Sequence, residues 1–351
     1  MLIRSLPARF GDCLLVLWGN PPRALMIDAG VGKTYAESIE AAFARCRSDG
    51  VKRLELIVVT HLDRDHIGGI DQVVRNRNAH GLSIADVWFN GAQHIPRDPV
   101  QVRSVEQAEA LGRLLTDQKL SWNAAFNGEP VCLPSRGAPP VREFPGGLRV
   151  TVLSPDLAQL KRLATIWPQA VRSAELPESV IAARGVSPRR PPVTFPIDLK
   201  TLAAQTFEED DSEANGSSIA LLIEHESRAV VLTGDAYPSV ILKGWRRVIA
   251  DRGGAPQVDV LKLSHHGSHT NTSPELLRAL KPKRVLISTD GSAYGHPHAE
   301  TLAWAIEAIK GLELVFNHDN EYSQPWASTA ALRGAGFRVR VGGRAGVEIE
   351  V

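Results

Sequence analysis

The chain has 351 residues, with 40 Lys and Arg against 39 Asp and Glu and a formal net charge of +1. That balance gives no global electrostatic case for a polyanionic partner, and no apolar run reaches the roughly 18–20 residues of a membrane span. Three cysteines, Cys13, Cys46 and Cys132, form no C-x-x-C pair. They argue against a disulfide framework and for reduced thiols in a cytoplasmic protein. The opening Met1-Leu2-Ile3-Arg4-Ser5-Leu6-Pro7 is too short and interrupted for a signal peptide.

Residues 2–6, 13–18 and 24–27 read as consecutive short strands, with turns at Gly11-Asp12 and Asn20-Pro21-Pro22. Residues 35–48 put Ile39, Ala42, Phe43 and Cys46 on one face, as an amphipathic helix does. Leu56-Ile57-Val58-Val59 is a buried strand by its unbroken apolar run. It enters Thr60-His61-Leu62-Asp63-Arg64-Asp65-His66-Ile67-Gly68-Gly69, and helical spacing resumes from Ile70 to about Asn78. Two imidazoles and two carboxylates thus share one strand-to-helix loop, and all four are good ligands for a divalent cation. In an extended loop His61, Asp63 and Asp65 point one way and His66 another, so one short loop can serve two metals. Such groups are costly to gather behind an apolar strand without a task.

A strand at 86–89, a helix near 102–118 and strands at 129–133 and 148–153 follow, an alternation that indicates a mixed α/β chain. Residues 155–214 break the pattern with Pro168, Pro177, Pro188, Pro191, Pro192 and Pro196. They are basic as far as Lys200, including Arg184, Arg189 and Arg190, before Glu208-Glu209-Asp210-Asp211-Ser212-Glu213 reverses the sign. This reads as an insertion at the mouth of the site, either a substrate-guiding lid or a solvated excursion. Order resumes at Asn215-Gly216-Ser217-Ser218 with a hairpin over 219–233 that ends at Thr233-Gly234-Asp235. The strand Val258–Leu263 ends at Ser264-His265-His266-Gly267-Ser268. A short helix at 274–280, a strand at 285–288, the word Tyr294-Gly295-His296-Pro297-His298, a helix at 298–310 and a strand at 312–316 come next. A helix at about 325–333 and strands near 337–341 and 346–350 close the chain. Each apolar strand delivers polar residues at its carboxyl end, where open α/β sheets place ligands. The whole reads as a single domain, 1–351, an αββα sandwich of two mixed sheets with helices outside. Its halves, about 1–153 and 215–351, meet at the metal edge.

The His61–His66 loop resembles the H-x-[HD]-x-D-H signature of the metallo-β-lactamase superfamily. The order of the later motifs resembles the soluble hydrolase domain of the ComEC-type competence (DNA-uptake) channel and its stand-alone relatives, although the membrane channel itself is absent here. The resemblance implies that His61 and Asp63 hold one metal, that Asp65, His66 and His265 hold a second, and that Asp235 bridges them with a shared hydroxide. Asp28, at the end of the opening hairpin, then braces the loop from behind. Asp63 and Asn215 stand where many relatives have ligand histidines; both changes replace nitrogen by oxygen, which favours Mn²⁺ while leaving Zn²⁺ possible. His266, His296 and His298 are candidates to orient a phosphate or act as general acid, with Ser268 beside them. His80, His94, His225, His269 and His318 are expected to be structural or surface groups. The implied function is metal-dependent hydrolysis of a phosphodiester in nucleic acid or a nucleotide, with a protein partner encoded nearby. Hydrolysis of a small lactam, lactone or thioester, and a metal-binding regulator without turnover, are the alternatives.

Overall fold

The protein is described here by a computed structural model covering residues 1–95, 110–175, 189–194, 196–327 and 336–351, with 168–175 as backbone only. Six strands come first: β1 (Leu2–Ser5), β2 (Leu14–Trp18), β3 (Arg23–Ile27), β4 (Arg53–Val58), β5 (Ser83–Ile84) and β6 (Val87–Trp88). Eight more follow: β7 (Val141–Phe144), β8 (Leu148–Ser154), β9 (Ala220–His225), β10 (Arg228–Leu232), β11 (Val260–Lys262), β12 (Arg284–Ile287), β13 (Glu313–Phe316) and β14 (Arg338–Val341). The last is β15 (Val347–Glu350). One sheet runs β15-β1-β2-β3-β4-β5, with β6 also on β4; the other runs β14-β13-β12-β11-β10-β9-β8-β7. Both are mixed: β3 and β4 pair in parallel, as do β10 to β14 in succession, while the hairpins are antiparallel.

Alternation along the strands builds the layers. In β2 the side chains of Leu14, Val16 and Trp18 meet the other sheet, while Leu15 and Leu17 face the helices. In β10, Val230 and Leu232 lie between the sheets and Ala229 and Val231 turn to the outer helices. The strands are therefore apolar on both faces, as a doubly covered sheet requires. Each fully buried Leu, Ile or Val of this kind contributes about 1.5–3 kcal/mol. Phe43, Val73 and Leu114 cover the first sheet from outside; Ile241, Trp245, Leu277 and Trp304 cover the second. The αββα layering matches expectation.

Four local readings differ. Residues 129–133 form no ladder: only Leu133 makes an isolated bridge, to Asp156. Pro130 has no N–H to give, and the side-chain amide of Asn90 takes both backbone groups of Val131 instead. The metal loop itself holds a helical turn, Arg64–Ile67, and the segment after it is two short helices, Ile70–Arg75 and Arg77–His80, rather than one. The helix Pro238–Arg252, started by Pro238 and stopped by Gly253 at φ 72°, has no counterpart in the sequence reading. The division into halves fails at both ends: β7 and β8 belong to the second sheet, and β15 pairs with β1 in the first. Of the expected helices at 102–118 and 325–333, Ala110–Asp117 and Gln324–Ala327 lie within the described residues.

The described part of 155–214 is packed against the site's surroundings. Its helix Leu157–Glu175 sets Leu163 and Trp167 on Leu62 of the metal loop. Arg189 donates to the Gly291 carbonyl and pairs with Glu321, while Arg190 pairs with Glu300 at 2.8 Å. Arg184 lies outside the described residues. Since Arg189 and Arg190 are already engaged, replacing both with Glu is expected to act on stability rather than on a polyanion. Exposed pairs are worth about 0.2–1 kcal/mol each, so melting should fall by a few degrees. The salt dependence of nucleic-acid binding should keep its slope; a flattened slope would show that these two side chains meet the ligand.

Candidate metal centre

The carboxyl ends of β3, β4, β10, β11 and β12 converge on one edge of the sandwich. Asp28 follows β3 in a left-handed conformation, φ 56°. Its carboxylate accepts from the Thr60 amide and hydroxyl, both at 2.8 Å, and lies 2.7 Å from His66 Nδ1. With Nδ1 held there, His66 presents Nε2 to the centre. Thr60 Oγ1, 3.0 Å from His61 Nδ1, turns His61 in the same sense. His266 Nδ1 is 2.8 Å from the Ser288 carbonyl, so its Nε2 also faces inward. This is how metal-binding imidazoles are oriented: one nitrogen tied behind, the other free.

Asp235 stands at the focus. Its Oδ2 lies 3.9 Å from His61 Nε2, 3.3 Å from His66 Nε2, 3.8 Å from His265 Nε2 and 3.8 Å from His266 Nε2. Asp65 Oδ2 is 3.2 Å from His266 Nε2 and 3.8 Å from His66 Nε2, and Asp63 Oδ2 is 3.6 Å from His61 Nε2. Among the described residues three groups of potential ligands result: His61–His66–Asp235, Asp65–His66–His266 and, behind them, Asp12–Asp28–His66. The buried Nε2 atoms of His61, His66 and His266 and Oδ1 of Asp235 have no hydrogen-bond partner among the described residues. Buried polar atoms are seldom left so, and the three Nε2 atoms converging on Asp235 Oδ2 suit a bound cation.

Electrostatics agree. Burial disfavours a charged His66, yet Asp235, Asp28 and Asp65 raise it well above the ordinary imidazole range. His266, against the same cost of burial, is lifted to about 9 by Asp235 and Asp12. Asp235 is held well below the usual carboxylate range, despite burial, by His66, His265 and His266. With the imidazoles neutral, as metal ligation requires, five carboxylates (Asp12, Asp28, Asp63, Asp65, Asp235) and one ammonium (Lys262) leave an excess of four negative charges, which two dications would cancel.

The histidine pair departs from expectation. His265 and His266 are both left-handed, at φ 48° and 55°, and Gly267 follows at φ 90°. This turn sends His266 inward beside Asp65 and His66, the location anticipated for His265. His265 instead rests its Nδ1 2.9 Å from Asn271 Oδ1 and keeps Nε2 on the Asp235 side. Asn215 Nδ2 donates to Asp210 at 2.6 Å and lies 3.4 Å from His265 Nδ1, so it borders the site through that ring. Ser268 Oγ is 2.9 Å from Thr270 Oγ1, within its own turn.

His296 and His298 form a wall on one side. The His296 ring lies 4.9 Å from that of His265 and 4.7 Å from that of His298. Burial, then His265, His298 and His266, push His296 well below the usual imidazole range. His298 falls to about 3 through burial and its neighbours His269, Arg190 and His265, and its Nδ1 accepts from the His269 amide at 3.1 Å. Both are neutral at pH 7, so neither has a proton to release until an anion raises it. His269, set aside in the sequence, belongs to this wall.

Two further groups escape the sequence reading. Lys262 is fully buried, ion-paired with Asp12, and its Nζ is 3.9 Å from Asp235 Oδ1. Asp12 in turn lies 3.4 Å from His266 Nδ1 and 3.9 Å from His66 Nδ1. Lys262 sits in an otherwise apolar strand just before the histidine pair, and that position is the one signal available. Gly11 lets this turn close: a Cβ there would stand 1.9 Å from the Asp65 carbonyl oxygen.

The chain is similar to several known proteins. ComE operon protein 3 of Bacillus subtilis (strain 168) is 33% identical over 94 residues, 26% of this chain and 12% of that protein. Competence protein ComA of Neisseria gonorrhoeae is 33% identical over 91 residues, 26% of this chain and 13% of that one. The matched part thus spans about an eighth of each relative. Among solved structures, Zn²⁺-bound PqqB from Methylobacterium extorquens covers the whole of both chains at 13% identity and TM-score 0.44. A diphosphatase of the PhnP family covers 98% of this chain and 87% of its own at 14% identity and TM-score 0.36. None of the described helices is long and apolar enough to cross a membrane. The family model of the metallo-β-lactamase superfamily, whose members are generally hydrolases, matches residues 6–291. With that match over most of its length and two mixed sheets between helices, the chain belongs to the metallo-β-lactamase superfamily.

Proposed function

We propose that the protein is a metal-dependent phosphodiesterase acting on nucleic acid or a nucleotide in the cytosol. The observation that carries this reading is Asp235 Oδ2, set 3.3–3.9 Å from four imidazole nitrogens. His61, Asp63 and Asp235 would hold one dication, and Asp65, His66, His266 and Asp235 the other. When bound, the pair supplies positive charge to a phosphoryl group and acidifies water. The chain's own residues do the rest: Asp28, Thr60 and Ser288 fix the imidazoles, and the neutral His296 and His298 face the edge where an anionic group would dock. The local match to two competence-related proteins supports a nucleic-acid substrate. The free thiols of Cys13 and Cys46, both buried, suit the reducing cytosol. We read 155–214 as an insertion within one domain, flanking the site through Leu163 and Trp167.

The test is reconstitution. Chelator-stripped protein, reloaded metal by metal, should cleave single-stranded DNA, RNA or bis-nitrophenyl phosphate best with Mn²⁺, because Asp63 brings oxygen where nitrogen is common. Cleavage of a lactam or thioester with no phosphodiester turned over would overturn the reading. Full activity with Zn²⁺ and none with Mn²⁺ would overturn the metal preference alone.

A further inference from the structure

Tyr294 has no part in the ligand set, yet its ring stands at the rim of the metal centre. It is stacked on His296, with centroids 5.7 Å apart and planes 25° apart, and meets the His265 ring edge-on at 6.3 Å. His265 Nε2 is itself 3.8 Å from Asp235 Oδ2, so the phenol shares a wall with the focus of the site. The Tyr294 hydroxyl makes no hydrogen bond to a described residue, unlike that of Tyr322, which donates to the Arg190 carbonyl at 2.6 Å, or of Tyr237, which donates to the Ser212 carbonyl at 2.6 Å.

The backbone holds the ring there at a cost. Tyr294 is left-handed, φ 59°, which an aromatic residue adopts only when its surroundings impose it. Those surroundings are visible. Gly295, at φ 74°, lies so close to Arg190 that a Cβ would stand 2.4 Å from the Arg190 carbonyl oxygen. The His298 amide donates to the Gly267 carbonyl at 3.1 Å, tying the Tyr294 turn to the histidine-pair turn. The turn that carries Tyr294 lies beyond the 6–291 span matched by the family model.

We propose that the Tyr294 hydroxyl donates a hydrogen bond to a non-bridging oxygen of the phosphoryl group held over Asp65 and Asp235. A phenol holds its proton at neutral pH and can therefore donate. The ring's contacts with His296 and with His265, whose Nε2 lies 3.8 Å from Asp235 Oδ2, put the phenol on the metal side of the wall, where substrate oxygens must sit. A phosphoryl oxygen between a dication and this donor is a charged acceptor, the kind of hydrogen bond that is strongest. His296, stacked behind, fixes the ring plane and needs no proton of its own to do so.

The inference rests on the phosphodiesterase reading, and the experiment separates the two. Inorganic phosphate is titrated calorimetrically into Mn²⁺-loaded wild type and Tyr294→Phe, which keeps the ring stack and removes only the hydroxyl. The wild type should bind phosphate, and the variant should bind it about 10- to 100-fold more weakly, as loss of a hydrogen bond to a charged group implies. Manganese content and melting temperature should not move, which separates lost contact from lost structure. Equal phosphate affinity in the two proteins overturns the contact while leaving the phosphodiesterase reading in place. Absence of phosphate binding by the loaded wild type overturns both.

Discussion

Asp235→Asn is expected to reduce turnover by at least about 10³-fold, the scale on which a reaction depends on preorganised charge at its centre. The amide has the shape of the carboxylate, so the local fold should persist. The Asp235 amide still donates to Ser218 Oγ at 3.2 Å, and its carbonyl still accepts from Asn271 Nδ2 at 3.0 Å. What disappears is the charge on Oδ2 that faces His61, His66, His265 and His266. A neutral amide holds two cations far less well than a carboxylate, and half of its heads are N–H donors that repel them. Manganese content should therefore fall together with rate, while the circular dichroism spectrum stays unchanged. Near wild-type turnover in Asp235→Asn would show that the reacting centre lies elsewhere.

Lys262→Met should carry the largest cost to stability of any single change near the site. Lys262 is wholly buried; its ammonium pairs with Asp12 and donates to the Gly234 carbonyl at 3.2 Å. Methionine fills the space but leaves the Asp12 carboxylate buried without its cation. Breaking a buried pair in this way costs about 3–5 kcal/mol, or on the order of ten degrees in melting temperature. The double variant Asp12→Leu/Lys262→Met removes both charges, and replacing a buried pair by apolar groups is often neutral. It should melt near the wild type, yet bind metal about 10–100-fold more weakly, because Asp12 no longer stands beside Nδ1 of His66 and His266. Thermal unfolding and a metal titration on the same preparations check both halves. A Lys262→Met protein as stable as the wild type would mean that the pair is not buried as described.

How much of this was legible beforehand depends on what each residue's role rests on. The loop His61–His66 was readable because four ligand-type residues in six positions follow an unbroken apolar strand. Asp28 at a strand end reads by itself as a turn residue; only the family resemblance gave it a bracing role, and it stands 2.7 Å from His66 Nδ1. The sandwich was readable because apolar runs recur at strand spacing, and the family match agrees. The identity of the inward-facing histidine was not, since it is decided by two consecutive positive φ angles that no spacing encodes. Lys262 and Asp12 were missed for the opposite reason: each looks ordinary alone, one as an outward strand residue and one as a turn residue. Only β2 and β11 folding to the same edge makes them a pair. The return of β15 to β1 is likewise a long-range pairing, Leu2 opposite Glu350, that local pattern cannot foretell.

The most direct test of the account is a metal count. Manganese bound per chain should be measured by elemental analysis after equilibrium dialysis, for wild type, His266→Ala and His265→Ala side by side. Two equivalents in the wild type, loss of one in His266→Ala and retention of two in His265→Ala are the predicted results. One equivalent or none in the wild type, or loss from His265→Ala with His266→Ala unaffected, would contradict a two-metal centre built on Asp65, His66, His266 and Asp235.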